Sequence, residues 1–317
     1  MTQTPTSIET HAHQNQGYAA TIGFFDGVHR GHCSLLGELR QQAACRGLES
    51  MVITFDRHPR QVVQPQWQPQ LLTTTAEKQA LLAAEGIDRV VVLPFDRTMA
   101  QLSARSFMQR VLAGELGVSM LLTGYDNRFG HGREEGFNDY VAYGRELGID
   151  VVQAQPFAAD GQRFSSSMIR HLLAEGDVAG AARALGRCYT LGGTVVHGQQ
   201  IGRRLGFPTA NLYPDEPLQL IPLPGVYAVR VSVEGGTTYD GMMNIGHRPT
   251  FDGQDLTLEA HLFGFSGNLY DRRVSVAFVA RLRDEMPFST PAQLAHQMQA
   301  DALQAHTLLA TPCGNAT

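Results

Sequence analysis

Residues 18–32 read YAATIGFFDGVHRGH, and this stretch decides the fold of the first part of the chain. It begins with an apolar run, YAATIG at 18–23, that predicts a strand. A glycine-rich turn follows and leads into HCSLLGELRQQAA at 32–44, whose pattern predicts an amphipathic helix. Such a strand, turn and helix aim the N–H groups of the helix start at an anion. We therefore expect an α/β domain with a phosphate site at this turn.

The same alternation continues beyond the first strand. Helices are predicted near residues 75–85, 103–115 and 137–147, and further strands at 50–55, 89–94, 119–123 and 149–154. The alternation predicts a doubly wound parallel sheet with helices on both faces. Such sheets bind ligands beyond the C-terminal ends of their strands, so the loops after the first and fourth strands are the candidate sites.

The pattern changes near residue 186, where six short strand candidates follow one another with Gly, Pro and Asp between them. This predicts a small antiparallel β-barrel. A helix at 290–309 closes the chain, with Ser289 or Thr290 as N-cap and Pro291 in its first turn. The predicted organisation is a disordered tail at 1–16, domains at 17–186 and 187–310, and a second tail at 311–317.

Composition narrows the class of protein. A net charge of −5 over 317 residues argues against a nucleic-acid binder. Lys78 is the only lysine and follows no glycine-rich turn, which excludes a Walker-type phosphate loop. The four cysteines are scattered, so we expect neither a zinc site nor a disulfide framework. No secretory signal and no run of membrane-spanning length occur, which favours the cytoplasm.

The turn at 23–32 carries two histidines with a chemical use. His29 and His32 are three residues apart and can share one face at a helix start. Imidazoles placed there could neutralise charge on a phosphate under attack. The alternative is an ordinary turn with two incidental surface histidines. Cys33 as a nucleophile is disfavoured because adjacent helical positions do not converge.

A second stretch, GTVVHGQQIGRRLGFPTANL at 193–212, predicts another nucleotide site. Its glycines would form turns over a nucleotide. Two residues apart on an extended segment, Thr209 and Asn211 point to the same face and offer hard oxygen ligands to Mg²⁺. The alternative is an edge strand whose polar side chains are merely solvated. The predicted ATP-binding residues here are Gly198, Gly202, Gly206, Pro208, Thr209 and Asn211.

Two charged residues in the C-terminal part of the chain are also candidates for functional-site residues. Glu259 lies in LEAHLF among apolar and aromatic residues, where a carboxylate needs a partner or a task. Alternation would also permit a solvent-facing glutamate. Arg283 in ARLRDEMPF is a weaker candidate, because a surface salt bridge with Asp284 or Glu285 explains it nearly as well. His261 is assigned no role.

Both stretches resemble the bacterial bifunctional riboflavin kinase/FAD synthetase family, whose N-terminal half belongs to the H-x-G-H nucleotidyltransferases. The first half matches G-x-F-D-G-x-H-x-G-H at 23–32, F-x-x-H-P at 55–59, G-x-D-x-R-F-G at 124–130 and R-x-S-S-S-x-I-R at 163–170. The second half matches the kinase signature at 193–212, then GVYAV at 225–229, N-I-G-x-x-P-T-F at 244–251 and LEAHLF around Glu259. The resemblance runs from about residue 23 to residue 288 and keeps the motif order.

The resemblance implies the roles of the residues. His29 and His32 would bind the ATP phosphates and stabilise the adenylyl-transfer transition state, and Glu259 would be the base facing the ribityl 5′-hydroxyl. Thr209 and Asn211 would hold Mg²⁺, with ATP as co-substrate and flavin as substrate and product. Asn244 and Arg283 would contact flavin in the kinase site, and His58 and Asn127 would contact flavin or phosphate in the adenylyltransferase site. The remaining ATP-binding residues there would be Gly23, Phe25, Asp26, Gly27, Gly31, Asp126, Arg163, Ser165, Ser166, Ser167 and Arg170.

Some positions depart from the family pattern, and alternatives stay open. Ser167 replaces a usual threonine, Asn127 replaces a common aromatic residue, and Glu134 and Glu135 resemble a small insertion. One alternative is a riboflavin kinase with a weak or inactive adenylyltransferase domain. A flavin- or nucleotide-sensing regulator and a flavin-dependent oxidoreductase are less favoured, the latter because no G-x-G-x-x-G follows a strand. The predicted partners are small molecules, without nucleic acid or membrane, and the oligomeric state stays open between a monomer and a weak homo-oligomer.

Overall fold

The computed structural model describes residues 17–157, 164–198, 202, 206–250 and 253–310. The predicted tails at 1–16 and 311–317, and Arg163, lie outside the described residues. Contacts group the described chain into two units. The first contains residues 17–24, 35–63 and 82–156, and the second contains residues 25–34, 64–81 and those from 157 onward.

The first unit is built on a five-stranded parallel sheet in the order β3-β2-β1-β4-β5, as the alternation predicts. Its strand order changes direction between β1 and β4, and ligands bind such sheets at this kind of switch point. Buried apolar side chains such as Ile22, Ile53 and Leu121 form its core with the neighbouring helices. The strands are β1 Tyr18–Ile22, β2 Glu49–Phe55, β3 Arg89–Leu93, β4 Val118–Thr123 and β5 Asp150–Gln153.

The predicted helices are confirmed, and shorter ones occur between them. The predicted helix at 103–115 is an α-helical turn that continues as a π-helix, Met108–Glu115. A short 3₁₀ turn follows β4 at His131–Arg133. The α-helices are α1 Arg30–Arg46, α2 Pro59–Val63, α3 Thr75–Ala84, α4 Arg97–Ala100, α5 Ala104–Phe107, α6 Phe137–Leu147, α7 Ser166–Ala174 and α8 Val178–Leu185.

The second unit contains a closed antiparallel barrel in the order β10-β7-β6-β11-β8-β9, which confirms the predicted architecture. The closing helix α9, Pro291–Leu309, begins after Thr290, whose side chain accepts a hydrogen bond from the N–H of Gln293. Thr290 rather than Ser289 is therefore the N-cap. The strands are β6 Tyr189–Val196, β7 Ala210–Pro214, β8 Gly225–Val233, β9 Thr238–Thr250, β10 Gly253–Leu262 and β11 Arg273–Arg283.

The barrel core extends beyond the barrel itself. Barrel residues such as Tyr227 and Phe278 belong to one buried cluster with Ile169 of α7, Leu185 of α8 and Leu72. Burying this apolar surface together stabilises the two helices against the barrel. The domain boundary at residue 186 stays a prediction, because the contacts place α7, α8 and residues 25–34 with the barrel.

Two further findings concern membrane-spanning helices and cysteines. Among the described residues, no helix is both long and apolar enough to cross a membrane. Cys33 and Cys45 are free, whereas Cys188 is disulfide-bonded. The scattered cysteines did not predict this bond, because sequence spacing alone does not show which distant cysteines meet.

Candidate functional site

The turn after β1 has an unusual backbone at residues 25–28. Phe25 and Val28 have φ angles of 54° and 37°, and Gly27 has a φ of 79°. Residues other than glycine rarely adopt positive φ, and a β-branched residue such as valine does so at a steric cost. Phe25 and Val28 are also buried. The turn therefore keeps this shape only because surrounding groups hold it.

The carboxylate of Asp26 is one of these groups. It accepts hydrogen bonds from the backbone N–H groups of Leu72 at 3.0 Å and Thr73 at 3.2 Å, and it pairs with Arg170 at 2.5 Å. Burial raises the pKa of Asp26, while the Arg170 charge and the two N–H donors oppose that rise. Asp26 and Arg170 thus neutralise each other, and their ATP-binding role stays a prediction.

The predicted serines lie at the start of α7. Ser165 is the N-cap, since its Oγ accepts a hydrogen bond from the N–H of Met168 at 3.2 Å. The Oγ of Ser166 donates to the carbonyl of Asp26 at 2.9 Å, so Ser166 supports the turn. Ser167 is exposed. Capping accounts for Ser165, and phosphate binding by these serines stays a prediction.

The two predicted histidines are brought together. The rings of His29 and His32 stack, with 3.7 Å between centroids and 17° between planes. A Cβ on Gly31 would lie 3.1 Å from the His29 ring, so a larger residue there would press on the imidazole. Burial lowers the pKa of His29 to about 4. Burial also lowers the pKa of His32 well below its usual value, and the neighbouring His29 and Arg187 lower it further. Both imidazoles are therefore neutral near pH 7.

A hydrogen bond shows which ring nitrogen of the neutral His29 carries the proton. Its Nδ1 accepts from the backbone N–H of His32 at 3.3 Å, so the neutral ring carries its proton on Nε2. The Nδ1 of His32 is buried and has no hydrogen-bond partner among the described residues. Buried polar atoms are normally paired. A donor at Nε2 of one ring and an unpaired nitrogen on the other suit a polar ligand such as a phosphate ester.

Sequence reasoning missed Arg187, which lies behind this turn. Its guanidinium donates to the carbonyl of Gly27 at 2.6 Å and to the carbonyl of Val28 at 3.0 Å. No local motif marks this arginine, because it follows the turn by about 160 residues in the sequence. The closeness of Arg187 to this turn is visible only in the folded chain.

Other predicted residues lie in the first unit, beyond the C-terminal ends of β1 and β4. The Nδ2 of Asn127 donates to the carbonyl of Ile22 at 2.6 Å, which ties the two strand ends together. The N–H of Gly23 donates to the carbonyl of Ile53 at 3.0 Å. Asp126 is exposed beside Asn127. The structure thus shows a structural task for Asn127, and its flavin contact stays a prediction.

His58 follows β2 in the same unit. Its ring meets Phe24 edge-on with 4.8 Å between centroids, and its Nδ1 accepts from the N–H of Arg60 at 3.1 Å. These contacts orient the imidazole at the C-terminal end of the sheet. Contact of His58 with flavin or phosphate stays a prediction.

The kinase candidates form a row across three barrel strands. Glu259 on β10 lies directly opposite Asn211 on β7 and Asn244 on β9. The neighbours of Glu259 along the strand, Leu258 and Ala260, are buried in the barrel. Since side chains alternate along a strand, the Asn211–Glu259–Asn244 row lies on the outer face of the barrel. The structure therefore brings together three residues that the sequence identified separately.

The residues before Asn211 add to this row. The Oγ1 of Thr209 donates to Oε2 of Glu259 at 3.2 Å. The Nδ1–H of His261 donates to the carbonyl of Pro208 at 2.8 Å, since a carbonyl can only accept. His261, which was assigned no role, thus holds the backbone next to Thr209.

Two glycines let backbone lie against the amides of the row. A Cβ on Gly198 would clash with the amide of Asn211, and one on Gly246 would lie 2.9 Å from Nδ2 of Asn244 and clash with the carboxylate of Glu285. Either substitution would displace a side chain of this face. Gly206 has a φ of 85°, a left-handed conformation that favours glycine.

The donor set of this row fits Mg²⁺. The hydroxyl of Thr209 and the amide of Asn211 are hard oxygen donors beside the carboxylate of Glu259. Among the described residues, no group of three His, Cys, Asp or Glu side chains could hold a metal ion. A cation carried by a nucleotide needs only a few protein ligands, because the phosphates and water supply the rest.

Arg283 has a different ion-pair partner from those weighed in the sequence. It forms a two-pronged pair with Asp301 of α9, at 3.0 Å from Nε and 2.7 Å from Nη2, rather than with Asp284 or Glu285. The side chain of Asp301 is 3% exposed and that of Arg283 is 19% exposed. This buried pair ties α9 to β11, while contact of Arg283 with flavin stays a prediction.

Substitution separates these two roles of Arg283. We expect Arg283→Met and Asp301→Ala each to lower the free energy of unfolding by about 3 kcal/mol, because each leaves a mostly buried charge unpaired. Chemical denaturation followed by circular dichroism measures this loss. An unchanged KM for riboflavin in both variants would contradict the predicted flavin contact of Arg283. A raised KM in Arg283→Met at unchanged stability would instead indicate flavin contact.

Comparisons with known proteins match both halves of the chain. A family model described as FAD synthetase matches residues 11–168, and one described as riboflavin kinase matches residues 185–309. A curated bifunctional riboflavin kinase/FMN adenylyltransferase of Pseudomonas fluorescens is 41% identical over 298 residues, which cover 94% of each chain. A protein of the same name from Escherichia coli K12 is 40% identical over 292 residues, which cover 92% of each chain.

A solved structure matches the whole fold as well. A crystal structure from Streptococcus pneumoniae, titled a macrolide-efflux protein, superposes with a TM-score of 0.84 at 28% sequence identity. The match covers 93% of this chain and 95% of the other. The likeness therefore extends over both the parallel sheet and the barrel.

Proposed function

This chain belongs to the family of bifunctional riboflavin kinase/FMN adenylyltransferases, and from that premise we propose that it makes FAD from riboflavin in two steps. Riboflavin and ATP give FMN and ADP, and FMN and a second ATP give FAD and pyrophosphate. The observation that carries this proposal is the pair of family models matched in order along one chain. The alternative of a kinase alone is not favoured, because the curated relatives carry both activities in their names.

We place the phosphorylation at the Asn211–Glu259–Asn244 row. Glu259 orients the ribityl 5′-hydroxyl and accepts its proton as the oxygen bonds to the γ-phosphorus of ATP. The bond from that phosphorus to the β-γ bridging oxygen breaks, and ADP leaves. Thr209, which donates to the Glu259 carboxylate, keeps that carboxylate in position. Mg²⁺ bound by Thr209 and Asn211 would neutralise charge on the ATP phosphates.

We place the adenylyl transfer at the His29–His32 pair. A phosphate oxygen of FMN attacks the α-phosphorus of ATP, and the bond to the β-phosphate breaks to release pyrophosphate. The nucleophile is already an anion, so no general base is needed. The Nε2–H of His29 can donate to phosphate oxygens, and both rings are neutral before ATP binds. Bound phosphates would favour the protonated imidazoles and so strengthen these interactions.

A single assay tests both steps. Purified protein incubated with riboflavin, ATP and Mg²⁺ is expected to form FMN first and FAD afterwards, with flavins separated by chromatography. Removal of Mg²⁺ with a chelator is expected to stop both steps. Absence of FMN would contradict the kinase proposal, and absence of FAD from supplied FMN would contradict the adenylyltransferase proposal.

Several features remain sequence predictions. They are the Mg²⁺ requirement, the cytoplasmic location, the oligomeric state and the absence of a resident flavin cofactor. The assay above also reports on the last, because substrate flavin should leave the protein as product.

A further inference from the structure

Arg187 contacts the turn at residues 23–32, here called the phosphate turn, although it lies far from that motif in the sequence. The residue lies in the segment matched by the riboflavin kinase model, 185–309, and contacts the turn that carries the adenylyl-transfer histidines. One guanidinium nitrogen donates to the carbonyl of Gly27 at 2.6 Å, and the other donates to the carbonyl of Val28 at 3.0 Å. Its side chain therefore binds two successive carbonyls just before His29.

These two carbonyls belong to the strained part of the turn. Gly27 and Val28 both have positive φ, and valine disfavours that conformation strongly. A strained backbone persists only when several contacts hold it. Ser166 binds the carbonyl of Asp26 and Thr73 accepts from the N–H of Gly27, whereas Arg187 binds the carbonyls of Gly27 and Val28. Without Arg187, the segment that leads into His29 would lose two of its anchors.

The paired contact suits the geometry of an arginine side chain. The guanidinium is planar and presents parallel N–H donors in a fixed fork, whereas a lysine ammonium is a point charge on a flexible stem. A lysine at position 187 would keep the positive charge and lose the paired geometry. Substitution by lysine can therefore separate the charge of Arg187 from the paired geometry of its hydrogen bonds.

The charge of Arg187 also reaches the histidines. It lowers the pKa of His29 and of His32, in addition to the larger effect of burial. The guanidinium therefore places a positive charge near both imidazoles.

We propose that Arg187 is a positioning residue for adenylyl transfer, which fixes the strained turn so that His29 and His32 present their rings to the ATP phosphates. The inference rests on the proposed FAD synthesis at this turn. Because Arg187 lies in the segment matched by the riboflavin kinase model, the proposal assigns that segment a role in adenylyl transfer as well. Arg187 itself touches no reacting atom in this proposal.

Two variants of the full-length protein test the proposal, Arg187→Gln and Arg187→Lys. We expect both to lower kcat for FAD formation from supplied FMN by about 100-fold, because a small displacement of catalytic groups has an effect of that size. FMN formation from riboflavin, measured on the same samples, is expected to stay within about two-fold of wild type. Arg183→Gln, which removes a charge from an exposed position on α8, is the matched control and is expected to keep both activities.

A titration separates positioning from general damage. The pKa of His29, followed by NMR, is expected to rise in Arg187→Gln, because a nearby positive charge is gone. It is expected to stay near the wild-type value in Arg187→Lys, which keeps the charge. A His29 pKa that stays low in Arg187→Lys shows that the turn is still folded and the imidazole still buried, so that its loss of FAD formation is not general damage.

The proposal is overturned if either folded variant forms FAD at the wild-type rate. It is also overturned if both activities fall together in proportion to a loss of thermal stability. Should Arg187→Gln not fold, Arg187→Lys decides alone by the same criteria. If wild-type protein forms no FAD from FMN, the proposed function itself fails, and that result is distinct from a failure of the Arg187 proposal.

Discussion

Glu259→Gln is expected to lower the rate of riboflavin phosphorylation by about 1,000-fold, within the range for loss of a general base. Glutamine has the shape of glutamate and can still accept the hydrogen bond from Thr209. It cannot take the proton of the ribityl hydroxyl at neutral pH. FMN formation from riboflavin, followed by chromatography at saturating ATP, measures the effect.

The same variant reports on the independence of the two reactions. FAD formation from supplied FMN is expected to be unchanged in Glu259→Gln, because the His29–His32 pair is untouched. Glu234→Gln removes an exposed carboxylate elsewhere on the barrel and is expected to leave both rates at wild-type level. A Glu259→Gln enzyme that phosphorylates riboflavin at the normal rate would refute the role of Glu259 as base.

His32→Ala is expected to lower FAD formation from FMN by about 100- to 1,000-fold, the usual effect of removing one group that stabilises transition-state charge. The ring of His32 stacks on the ring of His29. It also packs edge-on against the ring of Phe25, with 5.1 Å between the two centroids. Its loss removes the proposed phosphate ligand and a support of the His29 ring. Riboflavin phosphorylation is expected to continue normally.

A second substitution distinguishes chemistry from packing. His32→Phe keeps an aromatic ring against His29 and Phe25 but has no nitrogen. If the ring nitrogens act on phosphate, His32→Phe is as inactive in FAD formation as His32→Ala. Recovery of activity in His32→Phe would show that stacking alone is what His32 supplies. His171→Ala, at an exposed position on α7, is the matched control.

Much of the fold followed from local patterns. The five parallel strands were predicted near their observed positions and the barrel strands in their observed number, because strand and helix periodicities and turn residues are local properties. The same local patterns predicted which site candidates share a face. Thr209 and Asn211 illustrate this, because alternation along one short strand suffices to place them on a common face.

The partners of charged residues could not be predicted in this way. Arg283 pairs with Asp301 from the last helix, although Asp284 and Glu285 are adjacent in the sequence. Asp26 and Arg170, predicted as ATP ligands, form an ion pair with each other. Ion pairs between distant segments depend on which helices and strands pack together, and no sequence period records that packing.

At the phosphate turn, residues 23–32, some features follow from the local sequence and others depend on contacts with distant segments. The residue pattern alone predicts a strand, a glycine-rich turn and a helix start here, with two histidines at helical spacing. The positive φ angles of Phe25 and Val28, and the contact of Arg187 with their turn, follow only from tertiary packing. Backbone strain of this kind is stable only when distant groups compensate it, and those groups meet the turn only after the chain has folded.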